Sequence, residues 1–224
     1  MRRHAAWALS VWALGALGLL AAAGRAAAPE PRLMVFYVEA PPTKAASAAS
    51  ALAAEARAAR KAGAAAAEVL REAGRPSRMA LVEQWPALPG PEAARRAKAL
   101  AGVLEPGLQA PVDDRLSDPI LPLDLKAAPA GAFHVLMHID VMPDGSATAR
   151  QALVAQKATV MAARGALGFQ AASQTGRPNH FAVHETWKNR AAYEAYAASP
   201  AGQALRRRLD RFKGAPFDDR FYGS

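Results

Sequence analysis

The chain has 224 residues, 28 Lys and Arg against 19 Asp and Glu, a formal net charge of +9, and 52% hydrophobic residues. It has no cysteine, which excludes disulfides, thiolate metal centres and cysteine nucleophiles. Three arginines (Arg2, Arg3, Arg25) fall in the first 28 residues, so the remainder carries 25 basic and 19 acidic residues, or +6. Apart from Arg206-Arg207-Arg208 those charges are interspersed, with no aromatic-rich basic stripe. The short basic run reads as a solvated helix face rather than a nucleic-acid footprint.

Residues 1–28 combine a basic start, an apolar run from Ala5 to Ala23, and small residues through Ala28. This is the pattern of a secretory signal peptide cleaved near Ala26 to Ala28, and it predicts a periplasmic or secreted protein. The apolar run is nearly long enough to span a bilayer, so an uncleaved, membrane-anchored form stays open.

Pro31 to Ala40, β-branched and aromatic and ended by Pro41-Pro42, predicts a first strand. Ala45 to Lys61 predicts a helix by its alanine content. Glu68 to Ala73 is helical by propensity, but comparison with the second half predicts a strand. A Gly74-Arg75-Pro76 turn, a strand over Met79 to Trp85, a helix over Pro91 to Leu104 and a short strand from Val112 follow. Residues 119–131, rich in proline, read as a linker.

The order then recurs. His134 to Val141 predicts a strand, Ala147 to Arg164 a helix, Gly168 to Thr175 a strand, Gly176 to Asn179 a turn and His180 to Trp187 a strand. A helix from Arg190 is interrupted or restarted at Pro200, and Phe217 begins the last strand. Gly74 to Trp85 and Gly176 to Trp187, offset by 102 (176 minus 74), agree at six of twelve positions: Gly, Arg, Pro, Ala, Glu and Trp. Val112-Asp113-Asp114-Arg115-Leu116 likewise returns as Phe217-Asp218-Asp219-Arg220-Phe221. The expectation is an α+β chain of two tandem ferredoxin-like βαββαβ units, 29–118 and 132–224. Each unit has a small core, so packing the two together as an intramolecular pseudo-dimer buries more apolar surface.

The second unit resembles the antibiotic biosynthesis monooxygenase (ABM) family. The residues that carry the resemblance are Val135 to Gly145, Leu167-Gly168-Phe169, Glu185-x-Trp187, and Arg190 to Pro200 with its Ala198-Ser199-Pro200 ending. The resemblance implies a dimeric α/β barrel, made here within one chain. It also implies cofactor-independent oxygenation of a small phenolic or quinol-type aromatic by O2, or a fold kept for non-catalytic small-molecule binding in the exported protein. Further homo-oligomerisation stays open. Haem ligation is not implied, because no histidine follows His184 to match the helix histidine of the haem-degrading branch.

Alternation along the second unit's strands puts Val135, Met137, Ile139 and Val141 on one face and His134, Leu136, His138 and Asp140 on the other. Phe181, Val183, Glu185 and Trp187 likewise oppose His180, Ala182, His184 and Thr186. The histidines therefore line a half-polar interface between sheets. Cross-strand pairs, His138 with His180 or His134 with His184, are the only ones near enough to chelate, and no third ligand is evident, so no metal site is assigned. His138 and His184 are the candidate general bases. Trp187, Tyr193 and Tyr196 resemble the aromatic pocket of the family's cofactor-independent oxygenases, with Tyr193 a candidate catalytic hydroxyl. Asn179, His180 and Phe169 complete the substrate-contact candidates. Val183 stands where such oxygenases carry asparagine. In the first unit Leu33, Tyr37 and Val82 replace His134, His138 and His184, which predicts a single site.

Overall fold

The computed structural model describes residues 30–123 and 126–223. The expected signal segment lies outside the described residues, as do Asp124 and Leu125 of the linker. The first unit runs β1 (Arg32–Glu39), α1 (Ala45–Lys61), β2 (Ala66–Glu72), β3 (Arg75–Trp85), α2 (Gly90–Leu104) and β4 (Asp113–Pro119). The second runs β5 (Phe133–Asp140), α3 (Ser146–Met161), β6 (Ala166–Gln174), β7 (Arg177–Trp187), α4 (Arg190–Ala197), α5 (Pro200–Leu209) and β8 (Asp218–Gly223).

Local preference yields to pairing at β2. Its alanines favour helix, yet Ala66, Ala67 and Leu70 are buried in a strand that pairs with β3 from Ala66↔Gln84 to Arg71↔Met79. The Gly-Arg-Pro segments differ from expectation. Only the glycines turn, Gly74 at φ 80 and Gly176 at φ 77, a region that other residues avoid. The arginine and proline already belong to β3 and β7. Pro76 and Pro178 lie outside the paired positions, where their missing N–H costs no ladder bond.

The eight strands close into one barrel in the order β1-β3-β2-β8-β5-β7-β6-β4, all neighbours antiparallel. Each unit contributes four consecutive strands, and two short seams join them. In one, Glu72 lies opposite Tyr222; in the other, Ser117 lies opposite Gln174. The expected pseudo-dimer is therefore a single continuous sheet.

Period-two alternation buries both faces of β1, β3, β5 and β7, whereas β4 and β8 bury one residue each, Ser117 and Tyr222. Inward residues, among them Leu33, Val35, Leu70, Val82, Leu136 and Tyr222, fill the barrel lumen. Outward residues pack under helices in two separate cores. Phe36, Leu81 and Trp85 meet α1 and α2, while Val135, Phe181 and Trp187 meet α3, α4 and α5. Three apolar layers thus stack across the molecule, each large side chain contributing roughly 1.5–3 kcal/mol on burial.

Candidate active site

The same alternation divides the candidate residues between two places. His134, His138 and His184 are buried on the inward face, whereas Phe169, Trp187, Tyr193 and Tyr196 belong to the core under the second unit's helices. The β5–β7 sheet stands between them, so neither His138 nor His184 can act on a ring that Trp187, Tyr193 and Tyr196 hold. The base assignment drawn from the sequence is corrected on that ground.

In the lumen, His134 Nδ1 and His184 Nε2 lie 3.0 Å apart with their rings stacked, as diagonal neighbours, since Thr186 lies opposite His134 and Leu136 opposite His184. The other expected pair does not form. Asp140, not His138, lies opposite His180, and its carboxylate is 2.8 Å from His180 Nδ1. His138 Nε2 instead meets the Tyr37 hydroxyl at 2.7 Å. Asn179 donates from Nδ2 to the Val141 carbonyl at 2.8 Å. Asn179 and His180 thereby fasten the strand ends, and neither reaches the aromatic group. Burial pulls the imidazoles of His134 and His138 down to about 4 and that of His184 down to about 3. The Arg115 and Arg220 charges add to the effect at His138, and His134 adds to it at His184. All three are neutral, weak bases near pH 7. Among the described residues, no group of three or more His, Asp or Glu side chains could hold a metal ion.

On the outer face, a cavity of about 250 Å³ lies between the second unit's sheet and its helices. Capping positions its walls. Asn189 Oδ1 accepts from the Ala192 N–H and starts α4, so that Tyr193 and Tyr196, three apart, share the face toward the sheet. Ser199 caps α5, with Pro200 in its first turn, and Gly202 brings α5 against α4. A Cβ on Gly202 would lie 2.2 Å from the Tyr196 carbonyl oxygen. Beyond the two tyrosines, the cavity's polar lining is Gln156, Glu185, Arg206 and Asp219. Gln156 donates to the Tyr196 hydroxyl at 2.6 Å, and Arg206 pairs with Asp219. Trp187 stands behind, its ring 5.0 Å from that of Tyr196 and 6.0 Å from that of Tyr193. Phe169, directly opposite Glu185 in the sheet, is fully buried core.

Glu185 is the group that sequence reasoning passed over. Its carboxylate accepts from Trp187 Nε1 at 3.0 Å and is 4% exposed. Burial pushes its pKa up to about 7; the Trp187 hydrogen bond opposes the rise and the Asp219 charge adds to it. Glu185 recurs as Glu83 and so reads as scaffold. The available signal was a carboxylate on the apolar face shared by Phe181, Val183 and Trp187. Burial likewise raises the Tyr193 and Tyr196 hydroxyls to about 12.

The corresponding first-unit space is occupied. Trp85 Nε1 donates to Glu83 at 2.9 Å, but Arg96 lies 4.7 Å over the Trp85 ring and reaches both Glu83 and Glu55. Where Tyr196 flanks Trp187, a guanidinium fills the room above Trp85.

Two split βαβ units closed into one barrel, with a cavity under one of them, define a fused pseudo-dimer of the α/β-barrel type. Residues 132–208 match the model of the antibiotic biosynthesis monooxygenase family. Several solved structures share the fold over most of the chain. A candidate monooxygenase from Fusobacterium nucleatum is 13% identical with a TM-score of 0.70, covering 88% of this chain and 93% of that one. An anthrone oxidase-like protein is 16% identical with a TM-score of 0.68, covering 87% and 91%. A staphylococcal protein described as a major regulator of pathogenesis is 10% identical with a TM-score of 0.57, covering 85% and 97%. At such identities the likeness concerns the fold alone. No curated protein sequence matches this one.

Proposed function

We propose that the protein is a cofactor-independent monooxygenase whose substrate, a small phenolic or quinol-type aromatic, occupies the cavity beneath α4 and α5. One observation carries the reading: a buried carboxyl, Glu185, with a pKa near neutrality at the wall of a cavity flanked by Tyr193 and Tyr196. A general base is most effective when its pKa lies near the working pH. Glu185 takes the phenol proton, and the phenolate passes one electron to O2. The resulting radical and superoxide combine at a ring carbon, and the peroxide anion recovers the proton from Glu185 to form a hydroperoxide. Loss of water then leaves a quinone. Across the sequence the substrate loses two hydrogens and gains one oxygen atom, and the second oxygen leaves as water, so no external reductant is consumed. Tyr193, Tyr196 and Trp187 orient the ring. The match of residues 132–208 to the model of the antibiotic biosynthesis monooxygenase family supports this chemistry.

The test is oxygen uptake with simple quinols and anthrone, without added flavin or metal. Glu185→Gln, which retains an acceptor for Trp187, should reduce uptake about 100-fold or more, whereas His138→Asn should leave it intact. Equal uptake by wild type and Glu185→Gln would overturn the base assignment. Ligand binding without uptake would favour the non-catalytic reading. We propose further that the protein works after export, as residues 1–28 suggest; cell fractionation with N-terminal sequencing of the mature form checks this.

A further inference from the structure

Asp219 has one oxygen accounted for and one not. Oδ2 is held by Arg206, whereas Oδ1 is buried without a hydrogen-bond partner among the described residues. A buried acceptor left unpaired forfeits its hydration with nothing in return and calls for a partner from outside the chain. Asp219 lines the same cavity as Glu185, Tyr193 and Tyr196. Glu185 is similarly half engaged, with Oε2 taken by Trp187. The cavity thus presents two carboxyl groups, each holding one oxygen on a protein donor. No side chain among the described residues donates to Asp219 Oδ1. The Tyr196 hydroxyl is bound by Gln156, and Arg206, whose guanidinium lies 4.9 Å over the Phe217 ring, is committed to Oδ2.

Resting on the reading that this cavity is the substrate site, we propose that Asp219 is a specificity-determining residue that selects an arene bearing two hydrogen-bond donors. One hydroxyl meets Glu185, and the second, a hydroxyl or amino group on the same ring system, donates to Asp219 Oδ1. Arg206 fixes the carboxylate so that this oxygen faces inward. A singly hydroxylated ring leaves Asp219 unsatisfied, and sites built around such a contact reject analogues that lack it. The first-unit counterpart of Asp219, Asp114 (offset 105, 219 minus 114), is exposed on β4. The selection belongs to the second unit.

The experiment measures anaerobic binding of phenol, catechol, resorcinol and hydroquinone, so that no turnover is required. At least one of the diols should bind about tenfold or more tightly than phenol to the wild-type protein. Asp219→Ala should bring that diol down to the affinity of phenol while phenol binding stays as it was. Asp219→Asn, which keeps an oxygen for Arg206 and the shape of the site, should show the same selective loss if the full-length variant melts at the wild-type temperature. Phenol and all diols binding alike to wild type, or an equal loss for phenol and diol in both variants, would overturn the role of Asp219 while leaving the cavity as the site. Absence of binding by any of the four would overturn the cavity reading itself, and this proposal with it.

Discussion

The Tyr37 hydroxyl lies 2.7 Å from His138 Nε2 although the two residues are counterparts in the repeat, offset by 101 (138 minus 37). Two copies of one position meet across the barrel lumen, and divergence has made them complementary. Burial raises the Tyr37 hydroxyl far above its ordinary range and lowers the imidazole, so both stay neutral, and each gives the other the hydrogen bond that water no longer supplies. Tyr37→Phe should cost about 1–3 kcal/mol, the penalty for leaving a buried polar group unpaired. Urea unfolding measures it, and oxygen uptake should be unaffected because the pair lies across the sheet from the cavity.

The three inward imidazoles make stability depend on acid. Their folded pKa values, about 4 for His134 and His138 and about 3 for His184, lie below the 6.5 of an unfolded histidine. The unfolded chain therefore binds more protons below pH 6.5, and their contribution, complete above 6.5, is lost progressively as pH falls toward 4 and below. Glu185 works in the opposite sense. Raised to about 7 from 4.5, it favours folding at low pH and loses that contribution as pH rises from 4.5 through 7. Unfolding free energy should fall between pH 7 and pH 4, and Glu185→Gln should steepen the fall by removing the opposing group. Denaturant melts at four pH values resolve both slopes.

How far these arrangements were legible in the sequence differs by level. Period-two alternation separated His134, His138 and His184 from Val135, Val183 and Trp187, and the separation holds in the barrel. The repeat identified β2 as a strand against its own helix propensity. What alternation alone does not convey is that each face of a closed sheet meets a different neighbour. His138 and Trp187 are close in the strand order but belong to different compartments, so a mechanism joining them fails. Arg206 and Asp219 were hidden for another reason. They reach the cavity from α5 and β8, and only the packing of those elements brings a residue from a basic run and one from a repeated Asp-Asp-Arg segment to one wall.

Activity should rise with pH through the titration of Glu185. If its carboxylate takes the phenol proton, only the ionised form is competent, and kcat/KM should climb to a plateau with a midpoint of about 7. Were a lumenal histidine the base, the midpoint would lie near 4 and the profile would be flat from pH 6 to 8. Initial oxygen-uptake rates between pH 5.5 and 8.5 distinguish the two.

The Arg96–Glu83 pair of the first unit provides a last test, because Arg96 compensates a carboxylate that its counterpart Glu185 carries without a guanidinium stacked on its tryptophan. Glu83 is fully buried and its pKa is raised by burial, with the Arg96 charge holding it back. Removing the cation strands that carboxyl in the core. Arg96→Ala should therefore cost about 3–5 kcal/mol, the usual penalty for breaking a buried pair from one side. Glu83→Gln introduced alongside should recover much of the loss, since the neutral amide needs no counter-charge and still accepts from Trp85 Nε1. A double-mutant cycle on Arg96 and Glu83 by urea unfolding should show a coupling of roughly 1–3 kcal/mol. Additive losses would mean that Arg96 acts mainly by packing its guanidinium on the Trp85 ring, 4.7 Å away.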